Sequence, residues 1–355
     1  MDKQKIAAAF RRLEGNVTIG IDGYIDEVWQ LVKSRNSEDN IDLYTTMDQY
    51  AQRIQQASGG GMAIEIVRKR RSFGGFTANT GNAISKLGVD TTMLSLFGKD
   101  TIDPVFEPFG SVCKIISVGD PATTHIFEFD NGKIMMPYEE NTNSFRWKQL
   151  TDAMGLEKVM TLLGESEIIA FGYWASMPDF DNIITKIISN LPVQHKTRRI
   201  FLDFADVRKR DQASLKNVLL LLAKLNATIP MTLSMNEHEA AVIFSLYNAK
   251  LNAKQPPSTI QAEKIREQTG LDEIVVHTPY YAMASSTSEG TSIANQNYCQ
   301  KPVRTAGGGD TFNGGYIASL IAKLPIEERL TFANAVVHCF LSHGHAPSLA
   351  DVLQH

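Results

Sequence analysis

The sequence has few cysteines, and their arrangement argues against a fold held together by disulfides. Three cysteines occur among 355 residues, at Cys113, Cys299 and Cys339. A small, odd and scattered set of cysteines is typical of proteins from reducing compartments. We therefore expect a cytoplasmic protein without structural disulfides.

Long apolar runs are also missing, as is an excess of positive charge. No stretch approaches the roughly 18 apolar residues of a membrane span, and the N-terminal segment lacks the apolar centre of a signal peptide. The formal net charge of −4 gives no overall positive field that would attract nucleic acid. We expect a small-molecule ligand, with neither membrane nor nucleic acid as a partner.

Three motifs that are typical of nucleotide-dependent enzymes are absent from the sequence. It contains no G-x-x-x-x-G-K-[ST] loop and no H-R-D catalytic loop, which excludes P-loop enzymes and protein kinases. It also lacks a G-x-G-x-x-G fingerprint near the first predicted strand, which argues against a dehydrogenase.

Short β-branched runs alternate with helical periodicity along most of the chain. The predicted strands are Val17–Ile21, Thr92–Phe97, Ile115–Val118, Ile168–Phe171, Ile200–Asp203, Met231–Leu233 and Ile274–His277. The predicted helices are Thr80–Leu87, Phe180–Ser189, Leu215–Leu225, Ile260–Glu267, Thr311–Leu324 and Arg329–Ser342. This alternation predicts an α/β fold with a mostly parallel sheet covered by helices.

One region departs from the alternation and predicts an antiparallel hairpin. Asn131-Gly132 separates Thr124–Asp130 from Lys133–Pro137, and this dipeptide is the strongest short-range hairpin signal. A further strand is expected near Ala63–Arg68, between glycine-rich bends. These pieces are expected to form a small lid on the main sheet. Gln255–Ser258 is interpreted as a loop before a helix.

The glycine turn Gly307-Gly308-Gly309 opens an apolar helical pattern near the C-terminus. Backbone N–H groups of such a turn converge on one point, and the helix N-terminus adds a positive dipole end, so the turn can bind an anion. Asp310 follows directly. It can serve as the base that takes a proton from an attacking hydroxyl group, or it can simply cap the helix.

A second glycine pair, Gly74 and Gly75, leads into a helix that carries Asn79. The Asn79 amide can both donate and accept hydrogen bonds, which suits the hydroxyl groups of a sugar. Asp26, after the first strand, can accept further hydroxyl hydrogens. Taken one at a time, these residues fit a turn or cap equally well.

Three segments together resemble the ribokinase-like (PfkB) carbohydrate kinase family, in the same order and with similar spacing over nearly the whole chain. They are Gly74-Gly75-x-x-x-Asn79, Asn236-x-x-Glu239 and Gly307 to Phe312. The resemblance implies a three-layer sandwich with a mostly parallel central sheet and a small β-lid. It further implies one domain over residues 1–355, with lid segments near 27–45, 62–72 and 122–138.

The resemblance also implies a role for each matching residue. Asp310 would deprotonate the substrate hydroxyl group, while the backbone of Gly307, Gly308 and Gly309 holds the transferring phosphoryl group. Asp26, Gly74, Gly75 and Asn79 would bind the sugar. The nucleotide would contact Asn236, Glu239, Thr278 and Asn334, and Asn236 and Glu239 would hold Mg²⁺ through water.

The chain departs from the family pattern at three places. Arg304 stands where the family usually has an aspartate of a monovalent-cation site, so a potassium requirement is in doubt. Pro279 and Ala282 replace two glycines near the nucleotide phosphates. Gly308 replaces the usual alanine, a change that costs backbone entropy but should leave the amide geometry of the turn possible.

The resulting interpretation is an enzyme that uses ATP to phosphorylate a hydroxyl group of a sugar or sugar derivative. Two alternatives stay open: a nucleoside kinase, and a non-catalytic sugar- or nucleotide-binding protein, which the lost glycines would fit. The run Arg68–Arg71 fits either an anionic substrate or a solvated lid edge. The identity of the sugar, and whether two subunits pair through their lids as a homodimer, also stay open.

Overall fold

The computed structural model describes residues 2–247 and 259–354, which form an α/β protein with two sheets. The predicted loop Gln255–Ser258 lies outside the described residues. The strands are β1 Asn16–Ile21, β2 Tyr24–Arg35, β3 Ile41–Leu43, β4 Ile66–Gly74, β5 Asp90–Ser95, β6 Lys114–Ser117, β7 Ala122–Phe129, β8 Gly132–Tyr138, β9 Ile168–Gly172, β10 Arg199–Asp203, β11 Met231–Asn236, β12 Glu273–His277, β13 Tyr281–Ser286 and β14 Gly290–Asn295. The helices are α1 Lys3–Phe10, α2 Met47–Gln56, α3 Phe76–Lys86, α4 Glu140–Asn143, α5 Trp147–Met154, α6 Leu156–Glu165, α7 Phe180–Asn190, α8 Gln212–Asn226, α9 Glu237–Tyr247, α10 Thr259–Thr269, α11 Gly308–Ile321, α12 Ile326–His343 and α13 Leu349–Gln354.

The larger sheet has nine strands within the described residues, in the order β14-β13-β12-β11-β10-β9-β1-β5-β6. Every neighbouring pair from β12 to β6 is parallel, while β13 is antiparallel to both β12 and β14. Each of the seven predicted strands corresponds to one of these strands. Because parallel strands end at the same edge, the residues that follow β9, β10, β11 and β12 are brought together there.

Helices cover both faces of the larger sheet and enclose two apolar cores. One core lies between the sheet and α3, α11 and α12, and the other lies between the sheet and α5 to α10. The central helix α11 is buried on almost every side, which is typical of a helix inside a large core. Gly314 and Gly315 let it pack closely against α3 and α12, since a β carbon would meet Ala83 at 2.5 Å or Ala333 at 3.0 Å.

The smaller sheet contains five strands within the described residues and is built around the long strand β2. Strand β4 runs antiparallel to β2, β7 runs parallel to it, and β8 returns antiparallel to β7. Strands β7 and β8 form the antiparallel hairpin expected from the sequence, but its two-residue loop is Asp130-Asn131, and Gly132 is the first residue of β8, where it pairs with Phe129. The strand expected near Ala63–Arg68 begins later and is longer, at Ile66–Gly74. That this sheet acts as a lid stays a prediction.

Within the described ranges, no helix has the length and apolar character needed to cross a membrane.

Candidate active site

The glycine turn and Asp310 lie at the N-terminal end of the buried helix α11. Gly307 is the N-cap residue and has a left-handed backbone, with φ of 87°. This conformation favours glycine because a β carbon would crowd the following carbonyl group. Asp310 occupies the first helical turn and is 8% exposed. Its carboxylate therefore faces a largely dehydrated site beside the backbone N–H groups of the turn.

Residues from two other elements surround the Asp310 carboxylate. The Asn79 side chain, from α3, donates its Nδ2–H to Asp310 Oδ2 over 2.9 Å. The Tyr173 hydroxyl, just after β9, lies 3.4 Å from both carboxylate oxygens. Thr80 donates to the backbone carbonyl of Asp310 over 3.0 Å. These contacts fix the orientation of the carboxylate, so the simple capping interpretation does not account for its surroundings.

The electrostatic environment of Asp310 suits a general base. Burial, followed by the nearby Asp203 carboxylate, raises the pKa of Asp310 to about 7, although the hydrogen bond from Asn79 acts in the opposite direction. A base is most effective when its pKa lies near the working pH. Asp310 can therefore accept a proton near neutral pH and release it again.

The second glycine pair forms the N-terminus of α3, and the buried Asp22 holds it. Asp22 accepts hydrogen bonds from the backbone N–H groups of Phe76 and Thr77, over 2.7 and 2.9 Å. Gly75 has a φ of 85°, and a β carbon there would collide with the Asp22 carboxylate. Only glycine fits at position 75 beside the Asp22 carboxylate. The hydrogen bonds of Asp22 hold the first turn of α3 and thereby position Asn79, one turn further along the helix.

Asp26 lies on β2 beside Gly74, where a β carbon would approach its carboxylate to 2.7 Å. Burial raises the pKa of Asp26 to about 6, while Arg304 is the largest influence in the opposite direction. Arg304 lines the larger cavity, of about 700 Å³, which lies between the smaller sheet, the segment before α11 and the C-terminal end of α12. This cavity is lined mainly by polar and charged side chains, among them Gln30, Ser72 and Lys133.

Asn236 and Glu239 join the end of β11 to the start of α9. Asn236 donates its Nδ2–H to Glu239 Oε1 over 2.7 Å, and the backbone N–H of Asn236 donates to Glu239 Oε2 over 3.0 Å. Burial, followed by the charge of Asp203, raises the pKa of Glu239 to about 8. Burial raises the pKa of Asp203 to about 6. Asp203 accepts a hydrogen bond from Asn313 Nδ2 over 2.7 Å, which acts in the opposite direction.

A smaller cavity brings these carboxylates together with the glycine turn. It measures about 290 Å³ and is lined by Asp203, Glu239, Asn236 and the segment Gly307 to Asp310. A neighbouring cavity of about 520 Å³ is mainly apolar and is lined by residues such as Phe312, Val337 and Leu341. An anionic cavity next to an apolar one suits a metal-bound phosphate chain attached to a flat base.

Two of the predicted nucleotide contacts are engaged elsewhere in the protein. The Thr278 hydroxyl donates to the Tyr281 carbonyl and accepts from the N–H groups of Tyr280 and Tyr281, so it closes the turn between β12 and β13. The Asn334 side chain donates to the carbonyl groups of Ala294 and Asn295 and ties α12 to β14. Their contacts with a nucleotide stay predictions.

The two positions without the family's glycines are accommodated by ordinary structure. Pro279 lies in the tight turn after β12, and Ala282 is a fully buried strand residue paired with His277 and Ala294. Neither change leaves a gap in the sheet.

The basic run on β4 pairs with neighbouring carboxylates. Arg71 makes two 2.7 Å contacts with Asp103, while Lys69 and Arg70 contact Glu128 over 3.3 and 3.1 Å. Arg208 likewise pairs with Asp206, over 2.7 and 2.9 Å. These pairs account for most of the positive charge without a ligand.

Sequence reasoning missed several residues of the site, and all of them are linked to strand ends. Asp22 follows β1, Tyr173 follows β9, and His277 ends β12. Asp203 is the last residue of β10. The position of each residue after a predicted strand was the available signal, but these residue types carry no motif.

Comparison with known proteins places the chain in a family. A family model described as prokaryotic ketohexokinase matches residues 3–355. A ketohexokinase from Haloferax volcanii is 24% identical over 343 residues, which cover 95% of this chain and 90% of that protein.

Solved structures agree on the fold. A Cryptococcus neoformans ribokinase in complex with ADP has a TM-score of 0.67 at 13% identity, covering 96% of this chain and 99% of that one. An Arabidopsis thaliana ribokinase complexed with ribose and ATP has a TM-score of 0.65 at 14% identity, covering 96% and 97%. These structures confirm the predicted ribokinase-like fold, while the family model and the ketohexokinase relative confirm the predicted carbohydrate kinase class. The chain belongs to the prokaryotic ketohexokinase family.

Proposed function

We propose that this protein transfers the γ-phosphoryl group of ATP to a hydroxyl group of a ketohexose, with Asp310 as the general base. The observation that carries the proposal is the arrangement at the start of α11. There the buried Asp310 carboxylate is oriented by Asn79 and lies beside the anion-binding turn Gly307–Gly309. Family membership and the ketohexokinase relative support the substrate class.

In this reaction the residues of the chain have separate tasks. Asp310 accepts the proton of the attacking hydroxyl group, and the N–H groups of the turn stabilise charge on the transferring phosphoryl group. Asp26 and Asn79 orient the sugar from the β2 and α3 sides. Asn79 Nδ2 is already bonded to Asp310, so its Oδ1 is the atom left to accept from a sugar hydroxyl group.

The carboxylate cavity fits the predicted Mg²⁺. Its donors are carboxylate and amide oxygens, which are the ligands that this ion prefers, and Mg²⁺ usually keeps several water molecules. Bound there, Mg²⁺ would neutralise phosphate charge. Glu239 and Asn236 are the residues that we propose to hold it through water, and Asp203 lines the same cavity.

The cavity near Asp26 offers charged and amide side chains that can bind the hydroxyl groups of a sugar. It also contains Tyr44 and Phe129, so a nucleoside is the second candidate acceptor.

Lys69, Arg70 and Arg71 of β4 form ion pairs with Glu128 and Asp103. These cations therefore need no anionic substrate as a partner.

A coupled assay of ADP release tests the proposed function. Ketohexoses, aldohexoses, pentoses and nucleosides would be compared, and we expect a ketohexose to give the highest kcat/KM. Asp310→Asn removes the base and should lower kcat by about 10²–10⁴-fold, while Asp152→Asn, at an exposed position on α5 that pairs with Lys148, should retain most of the activity. ADP release that does not depend on any added acceptor, or that persists in Asp310→Asn, would contradict the proposal.

We further propose that two subunits pair through the smaller sheet. This proposal is based on the edge strand β8. On β8, the side chains of Met135, Met136 and Tyr138 are 49%, 50% and 58% exposed. An edge strand with exposed apolar side chains is a candidate association surface. Sedimentation equilibrium should show a dimer that Met136→Lys weakens, and a monomeric wild-type protein would contradict this arrangement.

A further inference from the structure

Two of the cavities meet at the N-terminal end of α11. The cavity of about 290 Å³ contains the carboxylates and Asp310, and the cavity of about 520 Å³ is mainly apolar. A nucleotide that places its base in the apolar cavity and its terminal phosphate near Asp310 must cross the border between them. The residues that line both cavities are Asn236, His277, Thr305, Gly308 and Gly309.

His277 is the border residue whose side chain is both held in place and able to donate. Its ring lies 5.0 Å from the Phe312 ring, and its Cε1 lies 3.0 Å from where a β carbon on Gly309 would stand. Among the described residues, no protein group forms a hydrogen bond with either ring nitrogen of His277. Packing therefore fixes the imidazole against the glycine turn while leaving its N–H directed to no protein acceptor.

The other polar side chains at the border are less suitable. Asn236 is committed to Glu239 and to the N–H groups of α9. Thr305 lies on an exposed segment before the turn. Thr278, next to His277, uses its hydroxyl group in the β12–β13 turn. The end of β12 therefore offers a phosphate the imidazole of His277 as its available side-chain donor.

We propose that His277 donates a ring N–H to the diphosphate portion of the bound nucleotide, beside the backbone N–H groups of Gly308 and Gly309. This inference rests on the proposed ATP-dependent reaction. His277 would supply a donor at the strand end where Pro279 has no backbone N–H. It contacts the part of the nucleotide that remains in ADP, so its contribution is measurable in binding as well as in turnover.

Isothermal titration calorimetry with ADP and with adenosine tests this role, because adenosine lacks the phosphates. His277→Phe keeps a ring beside Phe312 but has no N–H donor, and His277→Ala avoids any steric conflict with Gly309. Both variants should weaken ADP binding by about tenfold, the size expected for one hydrogen bond to a charged group. Adenosine binding should be unchanged. His277→Gln retains an N–H donor and should restore part of the ADP affinity.

The KM for the sugar gives a second readout and should stay the same in all three variants, since His277 lies on the nucleotide side of the turn. Equal losses of ADP and adenosine affinity in His277→Ala would show a packing role and overturn the inference. Unchanged ADP affinity in the same variant would overturn it as well. A wild-type protein that binds no ADP would overturn the proposed function together with this inference, so the two failures are distinguishable.

Discussion

At the scale of single residues, the chemistry of this protein depends on how a buried carboxylate is held. Asp310 is removed from water and lies near Asp203, and both effects raise its pKa, while the N–H of Asn79 favours its charged form. Tyr173 contacts both oxygens over long distances. The balance leaves the carboxylate able to gain and lose a proton near neutral pH.

The dependence of activity on pH should reflect this balance. Because the base must be unprotonated, kcat/KM is expected to be constant above pH about 7 and to fall about tenfold per pH unit below it. Asn79→Ala removes a donor that favours the charged carboxylate, so the midpoint should move to higher pH. Asn190→Ala, whose amide contacts only its own helix, serves as the matched control. An unchanged midpoint in Asn79→Ala would contradict the role of that hydrogen bond.

Arg304 is the second residue whose place in the structure has a functional consequence. Its Nε donates to the Ala306 carbonyl over 3.1 Å, and its guanidinium lies 5.5 Å from the Phe340 ring. Arg304 therefore adds positive charge and occupies a carbonyl oxygen just before the glycine turn. A cation cannot ligate another cation, and an occupied carbonyl is a poorer ligand for potassium.

We expect potassium to have no effect on this enzyme. Initial rates at constant ionic strength, with potassium replaced by a tetraalkylammonium ion, should give the same kcat/KM. Arg304→Ala serves as the comparison, because it frees the Ala306 carbonyl. A several-fold rise in wild-type activity on adding potassium would disprove the hypothesis.

At the scale of elements, the turn before α11 depends on two glycines in different ways. Gly307 needs its left-handed backbone and lies against Asn79, with a β carbon 3.2 Å from the side chain. A β carbon on Gly308 would make ordinary contacts of 3.6 Å with Leu341 and 3.8 Å with Val337. The family's usual alanine would therefore fit at 308 but not at 307.

This pair gives a matched mutational test. Gly308→Ala should keep full activity and raise the free energy of unfolding by about 0.4–1 kcal/mol, because alanine restricts the unfolded chain. Gly307→Ala should lower it by about 1–2 kcal/mol, the cost of a left-handed alanine, and should lower kcat by displacing Asn79. Urea unfolding and steady-state kinetics measure both quantities. Equal effects of the two substitutions would contradict the geometry of the turn.

At the scale of the whole molecule, the parallel sheet collects acids from different strands at one edge. Asp203, Glu239 and Asp310 line one cavity, and burial raises the pKa of each, to about 6, 8 and 7. Their pKa values in the folded protein exceed those of the unfolded chain, so the folded state binds more protons at any pH between the unfolded and the folded pKa values. The contribution of these acids to stability is therefore present at acidic pH and is lost as the pH rises through their folded pKa values.

Mg²⁺ should reverse this loss, because a bound cation favours the charged carboxylates. The unfolding temperature should rise more on adding Mg²⁺ at pH 8 than at pH 6, as measured by differential scanning fluorimetry. Glu239→Gln should reduce the difference between the two pH values, whereas Glu128→Gln, on the smaller sheet, should not. An equal effect of Mg²⁺ at both pH values would argue against a site at these acids.

Much of the fold was predictable because its signals are local. Val17–Ile21 and Ile200–Asp203 are apolar runs of strand length, and Asn131-Gly132 marks the hairpin, although its loop lies one residue earlier, at Asp130-Asn131. The antiparallel strands β13 and β14 were not foreseen, since Tyr281–Ser286 and Gly290–Asn295 are rich in small and polar residues. Their strand structure depends on pairing with β12, which is a tertiary contact.

The sequence by itself determined the alternation of strands and helices, the glycine turn and the aspartate that follows it, because backbone sterics and side-chain periodicity act over a few residues. Only the tertiary structure decided which groups meet at that turn. Asn79 and Asp310 are 231 residues apart, and Phe76 and Asp22 are 54 apart. Tyr173 and His277 reach the site because β9 and β12 end at the same edge of one sheet. Such meetings follow from strand order and register, which no local pattern encodes.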